Sequence, residues 1–380
     1  MKLLFMSPIG LKIAADYKSE YQTGAVEQQI FGIAKELSSK GYKVFIVRRW
    51  SGSKETETIC GVKFINITTP TTQRKFRENL SLISLPIVFM EHLFFSVKAY
   101  KKIKELDPDI INTSVLLLNC FISKLFIHNP RKVFITHNYD IFFGKGIMSC
   151  IKRKAVGNMV KNSEAVVVLT QGLKKYLNDR GFKTDAVIPN ALNLKDYRNR
   201  GEEDFILFAG RLVAHKRVED LIKAYSEISE DFEEELVIIG SGPCEKKLKS
   251  YVASLGLGER AHFVPFIPRS KYRNYLSKCS IFVLPSVAES FGVVIIEAMA
   301  CGKPVIARKI IGPEDIIIHG HNGFLFENSD ELKKYLQLLL SDEKLRKKLG
   351  RNARRTVETK YTFRRIADSY ETLYRSLLTK

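Results

Sequence analysis

"VLPSVAESFGVVIIEAMACGKPVIA", residues 283–307, holds a complete structural phrase. An apolar run ends at Leu284, a loop fits Ser286 to Phe291, a helix fits Val293 to Ala300, and a second apolar run, "PVIA", occupies 304–307. Strand, helix and strand in that order make a crossover unit, which joins parallel strands. The acids bounding the central apolar run, Glu289 and Glu297, are not demanded by that unit, which needs only the apolar residues between them. Glu289 falls in the loop ahead of the helix and Glu297 a turn or more inside it, so the two are not an adjacent carboxylate pair.

The same alternation extends outward on both sides. After a polar, turn-rich stretch from Pro189 to Asp204, strands are expected at 205–209, 235–240, 261–266, 280–284 and 304–307, with helices around 217–228 and 245–255. Before it, strands fit 2–6, 43–47, 62–67, 109–113, 132–136 and 165–169, and helices fit 25–40, 86–106 and 171–179. Such alternation predicts an α/β chain whose parallel sheets are covered on both faces. At 380 residues the chain exceeds the usual size of one core. The expectation is two Rossmann-like, doubly wound domains, 1–188 and 189–360, facing each other across a cleft at the carboxyl edges of their sheets. Phe363, Ile366, Ala367, Tyr370, Leu373, Tyr374 and Leu377 keep a helical spacing, so a helix over about 361–380 can pack back on the first domain.

Composition narrows the classes. The chain is 45% hydrophobic and 27% charged, which excludes general disorder. Of the net charge of +20, residues 1–190 carry +14 and residues 191–380 carry +6. The first half therefore suits an anionic partner, whether membrane lipid, acidic glycan or nucleic acid. No dispersed basic and aromatic recognition motif accompanies that charge, which argues against nucleic acid. The six cysteines form no close pair of the metal or redox kind and are expected to be reduced and mostly buried. "DPD" at 107–109 falls at a helix-to-strand turn around Pro108 and reads as structural, so no metal ligand is assigned. "MKLLFMSPIG" is too short a run for a signal peptide and suits a first buried strand, giving a cytoplasmic expectation.

Residues 80–97, "LSLISLPIVFMEHLFFSV", run into Lys98, Lys101, Lys102 and Lys104. Pro86, Glu91 and His92 oppose a full membrane span. A surface amphipathic helix over 82–104 and a helix buried in the first domain both remain open; the first places the chain peripherally on the inner face of the cell membrane, against anionic lipid.

In "FAGRLVAHKRVEDLI", residues 208–222, a strand runs into Gly210, then Arg211 and Lys216, then a helix. Those cations suit a diphosphate, by a forked contact from the arginine and a compact charge from the lysine; a solvated basic loop is the alternative. Gly24 precedes a helix start at Ala25 or Val26, where free N–H groups receive phosphate. His137, with Thr136, Asn138 and Asp140, closes a strand and can meet a sugar hydroxyl or bond locally. Glu289 is placed to face a sugar, with helix capping as its alternative, and Glu297 to hold ribose hydroxyls. The backbone of Ser290, Phe291, Gly292 and Val293 leads into the helix start, where N–H groups face phosphate.

The ordered set "PNALN", "GRLVAHKRVEDLI", "VLPSVAESFGVVIIEAMACGKPVIA", "IIGPEDII" and "NGFLF" resembles the GT-B retaining glycosyltransferases of family four, densely over 188–328. The resemblance implies a hexosyltransferase with an N-terminal acceptor domain and a C-terminal donor domain. It implies a UDP- or GDP-linked sugar as donor substrate and a glycan or lipid-linked acceptor, with no other cofactor and no divalent ion. It assigns Arg211 and Lys216 to the donor diphosphate, Glu289 to the donor sugar, Glu297 to ribose, His137 to the active site and Gly24 to the phosphate side. Ala25 stands where a second glycine is common, and Arg217 where glycine usually follows the lysine. A sugar-nucleotide epimerase, a nucleic-acid-binding protein and a noncatalytic scaffold are the competing readings. Donor base, donor sugar, acceptor, linkage and oligomeric state are not legible.

Overall fold

A computed structural model describes residues 1–7, 25–50, 54–68, 85–114, 131–135, 157 and 160–379. Gly24, Thr136 to Asp140 with His137, Cys120 and Cys150 lie outside the described residues. Two compact units emerge: one comprises the described residues as far as Ile188 together with residues 366–379, the other Pro189–Arg365.

The first unit contains β1 (Lys2–Ser7), α1 (Ala25–Ser39), β2 (Lys43–Arg49), β3 (Thr56–Ile59), β4 (Val62–Ile67), α2 (Leu85–Leu106), β5 (Ile110–Ser114), β6 (Arg131–Ile135), β7 (Ala165–Val168), α3 (Gln171–Asn178) and β8 (Ala186–Val187). Among the described residues its sheet runs β3-β4-β2-β1-β5-β6-β7-β8, parallel throughout except for β3 on β4. The periodicity reading did not include β3. Its turn places Cys60 and Gly61 both at positive φ, 49° and 80°, as a two-residue hairpin requires; a cysteine does not announce that conformation.

Helix α2 shows why its sequence supported two readings. Phe95, Ala99 and Ile103 lie one helical turn apart and are buried among Leu4, Met6, Val47, Ile65, Ile67 and Ile111. Burial of the phenylalanine alone contributes about 2 kcal/mol. Leu93, Phe94 and Val97 are exposed, and Lys98, Lys101, Lys102 and Lys104 are exposed beyond them. Among the described residues no helix is long and apolar enough to cross a membrane.

A last helix, Phe363–Leu378, buries Ile366, Ala367, Tyr370, Tyr374 and Leu377. Asn112 at β5 donates to the Tyr374 hydroxyl at 2.6 Å, and Tyr42 donates to Glu371 at 2.7 Å. Lys40 completes the attachment through Asp368 and Glu371.

The second unit contains β9 (Phe205–Ala209), α4 (Val218–Ser226), β10 (Glu235–Ile239), α5 (Glu245–Ser254), β11 (Ala261–Val264), α6 (Arg269–Lys278), β12 (Ile281–Leu284), α7 (Val293–Ala300), β13 (Val305–Arg308), α8 (Pro313–Ile316), β14 (Phe324–Phe326), α9 (Ser329–Ser341) and α10 (Glu343–Lys360). Its parallel sheet runs β11-β10-β9-β12-β13-β14. Strands β9 and β12 are buried along their whole length, the signature of a sheet covered on both faces. The chain leaves β9 toward β10 and later returns to β12 on the other side of β9, so the topological switch falls between β9 and β12. Ligands of such folds bind beyond the carboxyl ends of the strands at that switch. The stretch 189–204 is built into this unit, with Asn190, Ala191, Leu192 and Tyr197 buried.

Candidate functional site

Two loops flank the switch. The first leaves β9 through Gly210 and runs so close to the loop after β10 that neither Gly240 nor Gly242 can carry a side chain. A Cβ on Gly240 would stand 1.9 Å from the Gly210 carbonyl oxygen, and one on Gly242 2.3 Å from that of Leu212. Backbone bonds from Gly210 to Ile239, from Leu212 to Ser241 and from Cys244 to Leu212 hold the crossing. "GSG" at 240–242 went unread in the sequence, although its position after a buried strand was the available signal. The loop then forms a 3-10 turn, Ala214–Lys216. Arg217 follows in the left-handed region at φ 51°, where glycine is favoured, and its guanidinium forks onto Asp220 at 2.8 and 3.1 Å.

The second loop, 285–292, connects β12 to α7. Val287 N–H donates to the carbonyl of His215 at 2.9 Å, joining the two loops. Gly312, at φ 102°, lies under it: a Cβ there would meet the carbonyl oxygens of Glu289 and Phe291 at 3.0 and 3.1 Å. Gly292 caps α7 at φ 95°. The side chain of Phe291 is buried and meets Tyr361 edge-on at 5.7 Å, while Ser290 and Val293 are half-buried.

The sequence-predicted residues now separate. Lys216 Nζ donates to Glu289 Oε1 at 2.5 Å, with both side chains more than four-fifths buried. Arg211 is exposed, free of any ion pair to another described residue, on the loop that begins at Gly210. Glu297 lies elsewhere in the hydrogen-bond network. It is 3% exposed and accepts from Tyr197 at 2.7 Å, from Arg269 at 2.5 Å and from Tyr272 at 2.9 Å. Among the described residues, three donors occupy three of a carboxylate's roughly four acceptor positions.

Burial drives the Tyr197 and Tyr272 hydroxyl pKa values upward, and Glu297 adds to the effect, so both remain protonated donors. Burial works against the Arg269 charge, but Glu297 and Tyr197 outweigh it and raise its pKa. Tyr197, Arg269 and Tyr272 were not singled out in the sequence: they stand 100, 28 and 25 residues from Glu297, and no local spacing links them. Among the described residues no group of three or more His, Cys, Asp or Glu is placed to hold a metal ion. Of the four described cysteines, Cys279 and Cys301 are buried, Cys244 is intermediate and Cys60 is exposed; all are free thiols.

Two doubly wound α/β units, one with a lysine–carboxylate pair at its switch point, define the GT-B class of fold. The family model described as Glycosyl transferases group 1 matches residues 190–356, and that described as Glycosyltransferase Family 4 matches 26–196; the chain belongs to the group 1 glycosyltransferases. An uncharacterized glycosyltransferase of Methanocaldococcus jannaschii is 34% identical over 198 residues, 51% of this chain and 54% of the relative. The capsular polysaccharide biosynthesis glycosyltransferase CapM of Staphylococcus aureus is 28% identical over 235 residues, 61% of each chain. The chain spans about half the length of several curated relatives it matches. Anabaena HepE, solved in complex with UDP and glucose, has the same fold with a TM-score of 0.74 at 19% identity, covering 99% of this chain and all of that one.

Proposed function

We propose that this chain is a retaining hexosyltransferase that moves a sugar from a UDP- or GDP-linked donor to a glycan or lipid-linked acceptor in cell-surface polysaccharide or glycolipid synthesis. The observation that carries this reading is the Lys216–Glu289 pair, held at the switch point by loops that are bonded to each other. An incoming diphosphate offers Lys216 a stronger anion than one carboxylate. Glu289, released from the lysine, then accepts from the donor sugar's hydroxyls. Arg211, Lys216 and the first N–H groups of α7 face the charge that grows on the leaving diphosphate. That diphosphate takes the acceptor hydroxyl's proton on the face it departs from, so the new bond keeps the donor's configuration. The fourth acceptor position of Glu297 suits a ribose hydroxyl. The first unit takes the acceptor role; the family resemblance alone assigns His137 to the active site and Gly24 to the phosphate side, both being outside the described residues.

CapM's role in capsular polysaccharide biosynthesis and HepE's binding of UDP and glucose support the same substrate classes. The exposed Phe94 and Val97 beside four lysines on α2 support docking on an anionic membrane surface, inner face included.

The test is a panel of UDP- and GDP-linked sugars, with and without lipid extract, scored for nucleotide release and for product anomeric configuration by NMR in the presence of chelator. An α-linked donor is expected to give an α-linked product without added metal. A β-linked product, or nucleotide release with no acceptor glycosylated, overturns the reading; the latter is the epimerase outcome. Lys216→Ala is expected to lower kcat/KM by about 10²-fold.

A further inference from the structure

The loops that carry Lys216 and Glu289 are joined a third time, through a side chain from neither. Arg308 closes β13, directly beside the end of β12. Its Nε donates to the Pro285 carbonyl at 3.0 Å, the first residue of the loop that reaches Glu289. Its Nη1 donates to the Glu327 carbonyl at 3.2 Å, just past β14. Its Nη2 donates to Asp220 Oδ2 at 2.5 Å, in the first turn of α4. Asp220 is in turn gripped by Arg217, the residue after Lys216. The Arg308 guanidinium also lies over the Phe326 ring, 4.8 Å from its centre.

A continuous path therefore runs from Arg217 through Asp220 and Arg308 to Pro285. It spans the same two loops that the His215–Val287 backbone bond and the Lys216–Glu289 pair span. A guanidinium presents donors in a fixed plane and so fixes the directions of three acceptors at once, which an ammonium on a flexible stem does not. Most of the Arg308 side chain is buried, at 16% exposure, so its part-buried contacts to Pro285 and Asp220 are partly shielded from the solvent screening that weakens surface pairs.

We propose that Arg308 is a positioning residue: it holds the Glu289 loop in register with the Lys216 loop, so that both side chains meet one donor at the same time. The proposal rests on the transferase reading for its kinetic consequence, but its structural content is independent of that reading.

Arg308→Lys retains a charge for Asp220 while losing the fixed fork, and Asp220→Asn retains shape while removing the charge that joins Arg308 to Arg217. Hydrogen–deuterium exchange is followed in both variants, at a temperature where each is folded, over peptides covering 211–217 and 285–292. Exchange is expected to quicken at both peptides together by about tenfold, with peptides from β10 and β11 unchanged. Wild-type exchange at the two loops, or quickening spread evenly over the second unit, overturns the proposal.

The kinetic arm is a cycle with Glu289→Gln. Arg308→Lys alone is expected to lower kcat by about tenfold, as small misplacements of catalytic groups do, with donor KM changed by less than about threefold. In the Glu289→Gln background the same substitution is expected to change kcat by less than about twofold, because coupled residues are not additive. Additive losses would show that Arg308 serves general stability only. If the wild type releases no nucleotide from any donor, the transferase reading fails, while the exchange result still decides whether Arg308 holds the two loops.

Discussion

Glu297 behaves at the residue scale as a buried anion compensated by protein groups. A carboxylate at 3% exposure is tolerated because two tyrosine hydroxyls and a guanidinium surround it. Removing Arg269 leaves that charge uncompensated. Arg269→Ala is expected to destabilise the second unit by about 3 kcal/mol, the low end for a broken buried pair because the arginine is itself about one-third exposed. Tyr272→Phe is expected to lose about 1 kcal/mol. Urea melts of the two variants test both; a loss under about 0.5 kcal/mol for Arg269→Ala would mean that Arg269 does not compensate the buried carboxylate. The sequence set Glu289 in a loop and Glu297 in a helix, but it could not show that one pairs with a single lysine while the other is ringed by two tyrosines and an arginine. That difference depends on Tyr197 and on Arg269 and Tyr272 of α6, brought in by folding from two separate segments.

The clearest electrostatic element is the last helix. Lys40, Tyr42 and Arg375 all engage Glu371, and the hydrogen bonds from Lys40 and Tyr42 are the main reason its pKa falls to about 2. A carboxyl whose folded pKa is depressed adds stability above its unfolded value, and that stability is lost as pH falls through the folded value. The helix's attachment is therefore expected to weaken between about pH 4.5 and pH 2. Limited proteolysis with an acid protease should release residues 363–378 progressively across that window, and Glu371→Gln should flatten the dependence. Cleavage of the wild type that is the same at pH 5 and pH 2.5 would contradict the assignment. Helix α2 was legible because it repeats one helical period over many residues, and the central strands because each is an unbroken apolar run. The hairpin strand β3 and the three-residue β14 were not, since one hides behind a left-handed cysteine and the other is too short to display a period.

The uneven charge belongs to the whole molecule. An excess of +14 in residues 1–190 meets, midway along α2, exposed apolar side chains at Phe94 and Val97. Replacing Lys98, Lys101, Lys102 and Lys104 by glutamine is expected to lower co-sedimentation with anionic vesicles severalfold, at roughly 1 kcal/mol per lysine before screening. Nucleotide binding by the same protein should be unchanged, and added salt should weaken the wild type toward the variant. Wild-type indifference to anionic vesicles at low salt would remove the membrane partner. The two-unit architecture was readable from alternation alone. The strut at Arg308 was not, because no pattern in the chain marks an arginine whose three acceptors come from three other segments.

The interleaved chain path also imposes an order of assembly. Pro189–Arg365 is one uninterrupted segment, whereas the first unit is completed only by residues 366–379. During synthesis from the amino end, the strands of the first unit emerge early and wait for the helix that covers Asn112. The later unit has everything it needs beforehand. The early half thus passes through a stage with an uncovered apolar patch, the kind of surface that chaperones bind and that misassociates when synthesis is fast. The nascent chain is most vulnerable not at its beginning but in the interval before Tyr370 and Tyr374 arrive.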